Sequence, residues 1–234
     1  MDKLEMLYEG KAKKVYKTDN EDLFIVEYKD DATAFNGLKK GSISGKGVIN
    51  NKMTNIMFKY LGDNGVKTHL VEELSDRATL VKKVSIVPLE VIIRNIAAGS
   101  FSKKFGVEEG TELKQPILEF SYKNDELGDP MINNDQILAI GIADEQDLKT
   151  ISEMAKKINE LLKKFFIERD IILVDFKIEF GKCKEGIILA DEISPDTCRL
   201  WDAKTKEKLD KDRFRRDLGG VEEAYEEVWR RITN

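Results

Sequence analysis

Histidine is almost absent from this chain. His69 is the single imidazole in 234 residues, so any Ser-His-Asp or Cys-His arrangement would have to use it. It lies in KTHLVEE, a strand-like stretch with no nucleophile beside it, and reads as structural. Two cysteines, Cys183 and Cys198, make neither a disulfide framework nor a zinc-ligand set. No apolar run reaches the roughly 18–20 residues of a membrane span. The N-terminal MDKLEMLYEGKAKK has early acids and no apolar core, unlike a secretory signal, so the expected location is the cytoplasm. The net charge of −5 and pI near 5.3 argue against a generic nucleic-acid or anionic-membrane surface, which needs a basic excess. Local basic pockets for small phosphates remain open. Neither G-x-x-x-x-G-K-[ST] nor G-x-G-x-x-G occurs, so the common phosphate loops are missing. Internal repeats, low-complexity runs and long linkers are absent too.

What remains for chemistry is carboxylate, lysine, arginine and bound metal. These converge on IILVDFKIEFGKCKEGIILADEISPDTCRLW, residues 171–201. Two apolar runs, Ile171–Phe180 and Ile187–Ile193, flank a glycine-bounded turn, 181–186, and predict an antiparallel hairpin. Strand alternation puts Val174, Phe176, Ile178 and Phe180 on one face and Asp175, Lys177 and Glu179 on the other. A register that sets Glu179 opposite or diagonal to Asp191 gives two neighbouring carboxylates. Such a pair repels unless a cation lies between, and Mg²⁺ takes one or two carboxylates together with phosphate oxygens. The alternative, a solvated face with ordinary salt bridges, stays open at this point.

Upstream, residues 6–28 read as three strands. In GKAKKVY (10–16), Gly10 lets the backbone approach a ligand, and Lys11 and Lys13 share one strand face and can meet phosphates; lysines at an edge strand are equally a guard against aggregation. Asp30–Gly37 reads as a polar loop and 39–47 as a mobile segment. Helical spacing covers Gly47–Leu61, and strands are expected over 68–71, 78–83 and 87–94. After Arg94, Ser100 stands at an expected helix start over 101–105, where a serine and a nearby arginine could bind phosphate; an ordinary capped helix is the plain alternative. A short strand is expected around 117–122 and the longest helix over 144–169, with an apolar stripe and a solvated lysine face. Residues 194–202 read as a rigid loop presenting Asp196 and Arg199. A short basic helix (211–220) and a terminal helix (221–232) follow. The fold class expected is α+β and two-lobed: 1–84 an antiparallel β lobe, 85–234 a larger α+β lobe, with a hinge near 82–86.

Eight segments in order, GKAKKVY, DDATAFNG, GKGVINNKM, VPLEVIIRNIAAGS, KNDELGDPM, ILVDFKIEFG, LADEISPDTCRLWD and KDRFRRDLGG, together resemble the SAICAR synthetase family (phosphoribosylaminoimidazole-succinocarboxamide synthase) nearly end to end. Ser42-Ile-Ser44 departs from the pattern, where many members carry an acid, which puts in doubt any metal or lysine contact from that loop. The resemblance implies a kinase- and ATP-grasp-like scaffold. It implies a ligase that joins L-aspartate to the carboxylate of 5-amino-1-(5-phosphoribosyl)imidazole-4-carboxylate (CAIR), consuming ATP with Mg²⁺, in a homodimer or higher homo-oligomer. It implies nucleotide contacts from Gly10, Lys11, Ala12, Lys13, Val15 and Lys82, and Mg²⁺ on Glu179 and Asp191. It places Arg94, Ser100 and Arg199 on the CAIR phosphate and Asp175 on its ribose, with Lys177 neutralising charge near the transferred group. Asp196 and Lys123 are further substrate contacts, whereas Lys211 and Arg215 could be structural. Two other readings fit parts of the pattern: a small-molecule kinase, and a nucleotide-binding regulatory module.

Overall fold

The computed structural model describes residues 1–34 and 38–234. In chain order the elements are β1 (Lys3–Glu9), β2 (Lys13–Thr18), β3 (Leu23–Tyr28), β4 (Asp31–Ala34), β5 (Lys39–Ser42), α1 (Lys46–Asp63), β6 (Leu70–Ser75), β7 (Ala78–Lys82) and β8 (Ser85–Ile96). Then come α2 (Gly99–Phe105), β9 (Glu112–Tyr122), β10 (Met131–Ile132), α3 (Asn134–Ala139), α4 (Glu145–Ile167), β11 (Ile171–Cys183), β12 (Gly186–Ala190), β13 (Cys198–Asp202), α5 (Asp212–Arg215) and α6 (Val221–Thr233). One sheet has the order β1-β2-β3-β7-β6. The other runs β10-β9-β8-β11-β12, with β13 also on β11. Every ladder within the two sheets is antiparallel, so this is a mixed α/β chain built on antiparallel sheets.

Three expectations, two of loops and one of a helix start, are corrected. The described part of the 30–47 region pairs Asp31 with Ser42 through Ala34 with Lys39. Ala32 and Ala34 are buried on one face of that hairpin, a period-two signal that small residues carry too weakly to read. Phe35, Asn36 and Gly37 lie outside the described residues. The second correction is β13: residues 198–202, read as loop, form a strand whose Asp202 pairs Ile171 and whose Arg199 pairs Asp175. Pro195 lies in the preceding turn, where its missing N–H costs no ladder bond. Third, α2 begins at Gly99 with Ala98 as its extended cap residue and no side-chain cap. Ser100 therefore sits inside the first turn and does not cap it.

The apolar stripe of α4 (Leu148, Ile151, Ala155, Ile158, Leu162, Phe165, Phe166) is buried against β8 and β11. Its start is fixed by the Asp144 side chain, which accepts from the Asp147 N–H at 2.7 Å, a standard N-cap. Helix α1 is less simple. Met53, Met57, Phe58 and Leu61 join the main core with α4 and β11, while Lys46, Asn50, Asn51, Thr54 and Asn55 are also buried. It therefore touches far more than the strands that precede it: Thr54 donates to the Ile193 carbonyl at 3.2 Å, and α6 packs along it. Gly47 permits the approach at its start. A Cβ there would lie 2.5 Å from Arg77 Nη1 and 2.8 Å from the Tyr28 carbonyl.

His69 joins the two sheets by its backbone. Its N–H donates to Leu189 O at 2.9 Å and its carbonyl accepts from Lys82 N at 2.7 Å. The buried ring stacks at a tilt on Phe58, 5.5 Å between centroids. Burial pushes its pKa down to about 4. The unfolded chain thus binds a proton between the ordinary value and about 4 that the folded chain refuses, so stability is lost as pH falls through that window. Replacing His69 by Gln should remove this component. From about pH 7 to about pH 5 the wild type should lose about 2 kcal/mol more than the variant in denaturant titrations. Parallel losses would refute the buried neutral imidazole.

Candidate active site

Strand β11 is central: β8 flanks one edge over its length, while β13 and then β12 flank the other. A strand so enclosed ought to be apolar, yet Asp175 and Glu179 are both buried and Lys177 is half-buried. Its alternation differs from a plain reading in one place. Leu173 pairs Leu200 and Asp175 pairs Arg199, leaving Val174 as the extra residue of a bulge. Ile171 and Leu173 therefore join the main core with Phe176, Ile178 and Phe180. Val174 falls in the separate cluster of Ile96, Ala98, Trp201 and Ile172. The expected grouping of Val174 with Phe176 is thus broken, because one unpaired residue shifts the parity of everything before it.

Around Asp175 the structure assembles an arginine cluster. Arg94, opposite it on β8, donates Nη1 to Asp175 at 3.0 Å and Nε to Glu119 at 2.5 Å. Arg199, opposite it on β13, donates Nη1 to both Asp175 oxygens at 2.8 and 3.0 Å and Nε to Asp212 at 2.9 Å. Gly99 presses on the same guanidinium. Its φ is +56°, and a Cβ would meet Arg199 Nη2 at 2.4 Å, so only glycine allows α2 to start beside this arginine.

Around Glu179 lies a lysine-carboxylate cluster. Lys177 donates to Glu90 at 2.7 Å and to Glu179 at 3.1 Å, and Lys123 from the end of β9 also pairs with Glu179. In the ladder Glu179 faces Ala190, so the expected register is off by one residue and Asp191 is neither opposite nor diagonal to Glu179. Continued strand alternation would send Asp191 to the core face, but its φ is +60°, a left-handed turn that ends β12. Its carboxylate instead pairs with Lys13 from β2, which also holds Glu192 at 2.9 Å. Burial alone would raise the Asp191 pKa; the charges of Lys13, then Lys177 and Lys123, overcome it and hold the carboxyl far below the usual range. Burial likewise works against the Lys177 ammonium, and Glu179, Asp191 and Glu90 reverse it, raising its pKa above the ordinary lysine value. Asp191 thus shares a field with Lys177 and Lys123, the partners of Glu179.

A third cluster anchors the 191–196 loop. Asp196 accepts from Lys46 at 3.0 Å, Lys211 at 3.1 Å and Tyr225 at 2.6 Å. Burial pushes the Lys211 pKa down despite Asp196.

The chain matches the family model described as SAICAR synthetase over residues 6–232. The chain belongs to the SAICAR synthetase family. Phosphoribosylaminoimidazole-succinocarboxamide synthase of Caldanaerobacter subterraneus subsp. tengcongensis is 65% identical, covering 99% of both chains. That of Lachnoclostridium phytofermentans is 67% identical at the same coverage. Among solved structures, the synthase from Ehrlichia chaffeensis superposes with a TM-score of 0.96 at 48% identity, covering 98% of each chain. A SAICAR synthetase solved in complex with ADP gives 0.94 at 53% identity, over 98% of this chain and 97% of that one. Members of the family are ATP-dependent ligases of purine biosynthesis, and this chain is one of them.

As a SAICAR synthetase, the chain brings together Asp175, Arg94 and Arg199 in one cluster, with Ser100 exposed in α2 next to Gly99. It brings together Lys177, Glu179, Asp191, Lys13 and Lys123 in another. Lys11 lies beside this second cluster: it pairs with Asp125 at 2.7 Å, whose carboxyl feels Lys123 and Lys177. Gly10 and Ala12 shape the β1–β2 turn through the bonds Gly10 N to Lys13 O, 2.7 Å, and Lys29 N to Ala12 O, 2.8 Å, and Val15 is buried in the sheet. Lys82 is placed elsewhere, on Glu185 at the β11–β12 turn, 2.6 Å away. Sequence reasoning missed Tyr8, Lys46, Glu90, Glu192 and Asp212. Glu90 had a readable signal: Glu90 and Arg94 share the four-residue spacing of Glu179 and Asp175, and the ladder sets them face to face. Tyr8 had none, since β1 is exposed throughout; only the fold brings it near Lys13, Asp191, Lys123 and Glu179.

Replacing Asp175 by Asn leaves the buried Arg94 and the partly buried Arg199 each short of a counter-charge, which should cost about 3 kcal/mol in urea unfolding. Millimolar inorganic phosphate should then stabilise the variant more than the wild type. Unchanged stability, or no response to phosphate, would count against an anion-binding arginine pair.

Proposed function

We propose that this chain catalyses the ATP- and Mg²⁺-dependent joining of L-aspartate to the carboxylate of CAIR, giving SAICAR, ADP and phosphate. The observation that carries the reading is the spacing along β11. Asp175 with its arginines and Glu179 with its lysines sit four residues apart, about 13 Å along a strand, and Lys177 lies between them. Two anionic groups can therefore bind at the two ends while a reacting carboxylate is held in the middle. The names of the relatives, one of them solved with ADP, and the order of motifs in this chain support the same assignment.

In this reading Arg94 and Arg199, with Ser100, bind the CAIR phosphate, as bidentate guanidinium donors suit it, and Asp175 orients both arginines and meets the ribose. Lys11 and Lys13 face the nucleotide phosphates, with Gly10, Ala12 and Val15 forming the strand turn against the nucleotide. Lys82 enters only as a contact at the outer edge. The donor set suits Mg²⁺: Glu179 and Asp191 are two carboxylates in one field, and a magnesium site needs few protein ligands when phosphates supply the rest. When bound, Mg²⁺ would neutralise the phosphate charge. Glu179 and Asp191 would hold it, and Lys13, Lys123 and Lys177, now paired with those carboxylates, would turn to substrate oxygens.

A carboxylate is a poor electrophile. Transfer of the terminal phosphoryl group onto it makes an acyl phosphate that the aspartate amine can attack. Positioning and charge neutralisation supply most of such catalysis. Lys177 is the residue placed for that charge. We further propose that the sheet of residues 3–82 covers the nucleotide and the 85–234 portion carries the metal and CAIR sites, in a cytoplasmic homo-oligomer. Asp196, with both oxygens engaged by Lys46, Lys211 and Tyr225, acts by fixing the loop that bears Asp191.

Phosphate release should require CAIR and aspartate together; release with ATP and CAIR alone would favour a kinase. Asp191→Asn keeps the shape and tolerates the positive φ, so it isolates the charge. It should abolish turnover and weaken Mg·ATP binding in calorimetry by more than 10-fold while the melt is retained, and wild-type turnover would remove the metal role. Arg199→Ala should raise the CAIR requirement and spare that for ATP; an unchanged CAIR titration would take Arg199 out of the phosphate site.

A further inference from the structure

Arg199 can serve a substrate phosphate only if its guanidinium is held still, and the strand it sits on is short. The residue after it supplies a clue. Leu200 N–H donates to Asp210 Oδ2 at 2.8 Å, and the other oxygen of the same carboxylate accepts from Asp212 N–H at 2.7 Å. Asp212 then takes Arg199 Nε on its own carboxylate at 2.9 Å. The bonds close a ring: Arg199 backbone, Leu200 amide, Asp210 carboxylate, Asp212 amide, Asp212 carboxylate, Arg199 side chain. Asp210 is fully buried and touches none of the groups assigned to substrate. The remaining bonds of the segment agree with a docking role, since Leu209 N donates to Leu200 O at 2.8 Å and Lys211 N to Pro195 O at 3.1 Å. Asp212 also holds Arg215 at 2.7 Å, so its carboxylate must be aimed within narrow limits to serve both.

We propose that Asp210 is a positioning residue for CAIR binding: its carboxylate sets the Asp212 backbone, and through it the Arg199 guanidinium, in the orientation that meets the phosphate. A buried carboxylate accepting two N–H donors is rigid because leaving either donor unpaired is costly. The asparagine variant can accept only one of them, since its NH₂ would face the other. The proposal rests on the assignment of Arg199 to the CAIR phosphate.

The test is a double-mutant cycle in steady-state kinetics on the full chain. It is run at about pH 8.5, where the wild-type carboxyl is ionised, because burial and then the Asp212 charge push its pKa up to about 7. Asp210→Asn should raise the KM for CAIR about 10-fold, change kcat less than about 3-fold and leave the KM for ATP alone. Combined with Arg199→Lys, it should add less than about 2-fold to the loss from Arg199→Lys, because both act through one guanidinium. A multiplicative loss, or a fall in kcat with KM unchanged, would overturn the proposal and leave Asp210 a structural residue. Should the variant not fold, hydrogen exchange on the wild type decides: the Leu200 and Asp212 amides should exchange together and slow further with CAIR. Independent exchange without a CAIR effect would refute it. If Arg199→Ala leaves CAIR binding unchanged, the phosphate assignment itself has failed; if Arg199 matters and Asp210 does not, only this inference has.

Discussion

The structure turns on the burial of three charged side chains in one strand. A carboxylate taken out of water costs several kcal/mol unless counter-charges and hydrogen bonds meet it. Asp175, Lys177 and Glu179 lie on β11 between neighbours on both edges, so the neighbours must supply the compensation. They do so with Arg94 and Glu90 from β8, Arg199 from β13 and Lys123 from β9. These partners come from three separate parts of the chain. The pairing is therefore a constraint on register as well as on charge: slipping β8 by one residue would turn Arg94 and Glu90 away, taking one of the two arginines from Asp175 and one of the two carboxylates from Lys177. An apolar central strand would be easier to build. Retaining this one makes sense for a surface that must receive several anions and a cation.

How far this could be read from sequence depends on the range of the interaction. The β11–β12 hairpin was legible because its alternating apolar residues and bounding glycines are local. So was α4, with its uninterrupted stripe and Asp144 cap. The charged face was visible as a pattern, and the family resemblance turned it from a possible solvated face into a site. The bulge at Val174 was not legible, since an extra residue is defined by the partner strand. Strand β13 was hidden for a related reason: SPDTCRLW carries turn residues at its start, and its strand character comes from pairing with β11. The register expected for Glu179 and Asp191 is off by one residue, and the left-handed Asp191 that turns its carboxylate back from the core face has no local signal. Lys46 was unreadable because its partner Asp196 lies 150 residues away, and Asp212 because its partner Arg199 sits on a strand read as loop.

Helix α1 shows how the two sheets are tied. Its apolar residues belong to the same core as α4 and β11, while Lys46 reaches Asp196 and Thr54 reaches the Ile193 carbonyl. The Asp191–Asp196 segment is thus gripped at several points: by Lys13 on Asp191 and Glu192, by Thr54 on Ile193, and by Lys46, Lys211 and Tyr225 on Asp196. Within it, Ser194 donates to Glu192 at 2.6 Å. A left-handed residue such as Asp191 persists where its surroundings over-determine it, and this segment meets that condition.

The same economy explains why the cluster contains its own counter-ions. Lys13, Lys123 and Lys177 lie among Glu90, Glu179, Asp191 and Glu192, so the charges nearly cancel and no side chain is stranded. On the proposed function, Glu179 and Asp191 would hold a divalent cation, and Lys13, Lys123 and Lys177 would exchange those carboxylates for phosphate oxygens. What changes is the position of the positive charge: it moves from the protein carboxylates to the transferring phosphoryl group, where charge builds up in the transition state. Lys177, held by Glu90 as well as Glu179, keeps one anchor through that exchange, and it is the cation on the line between the two ends of the site.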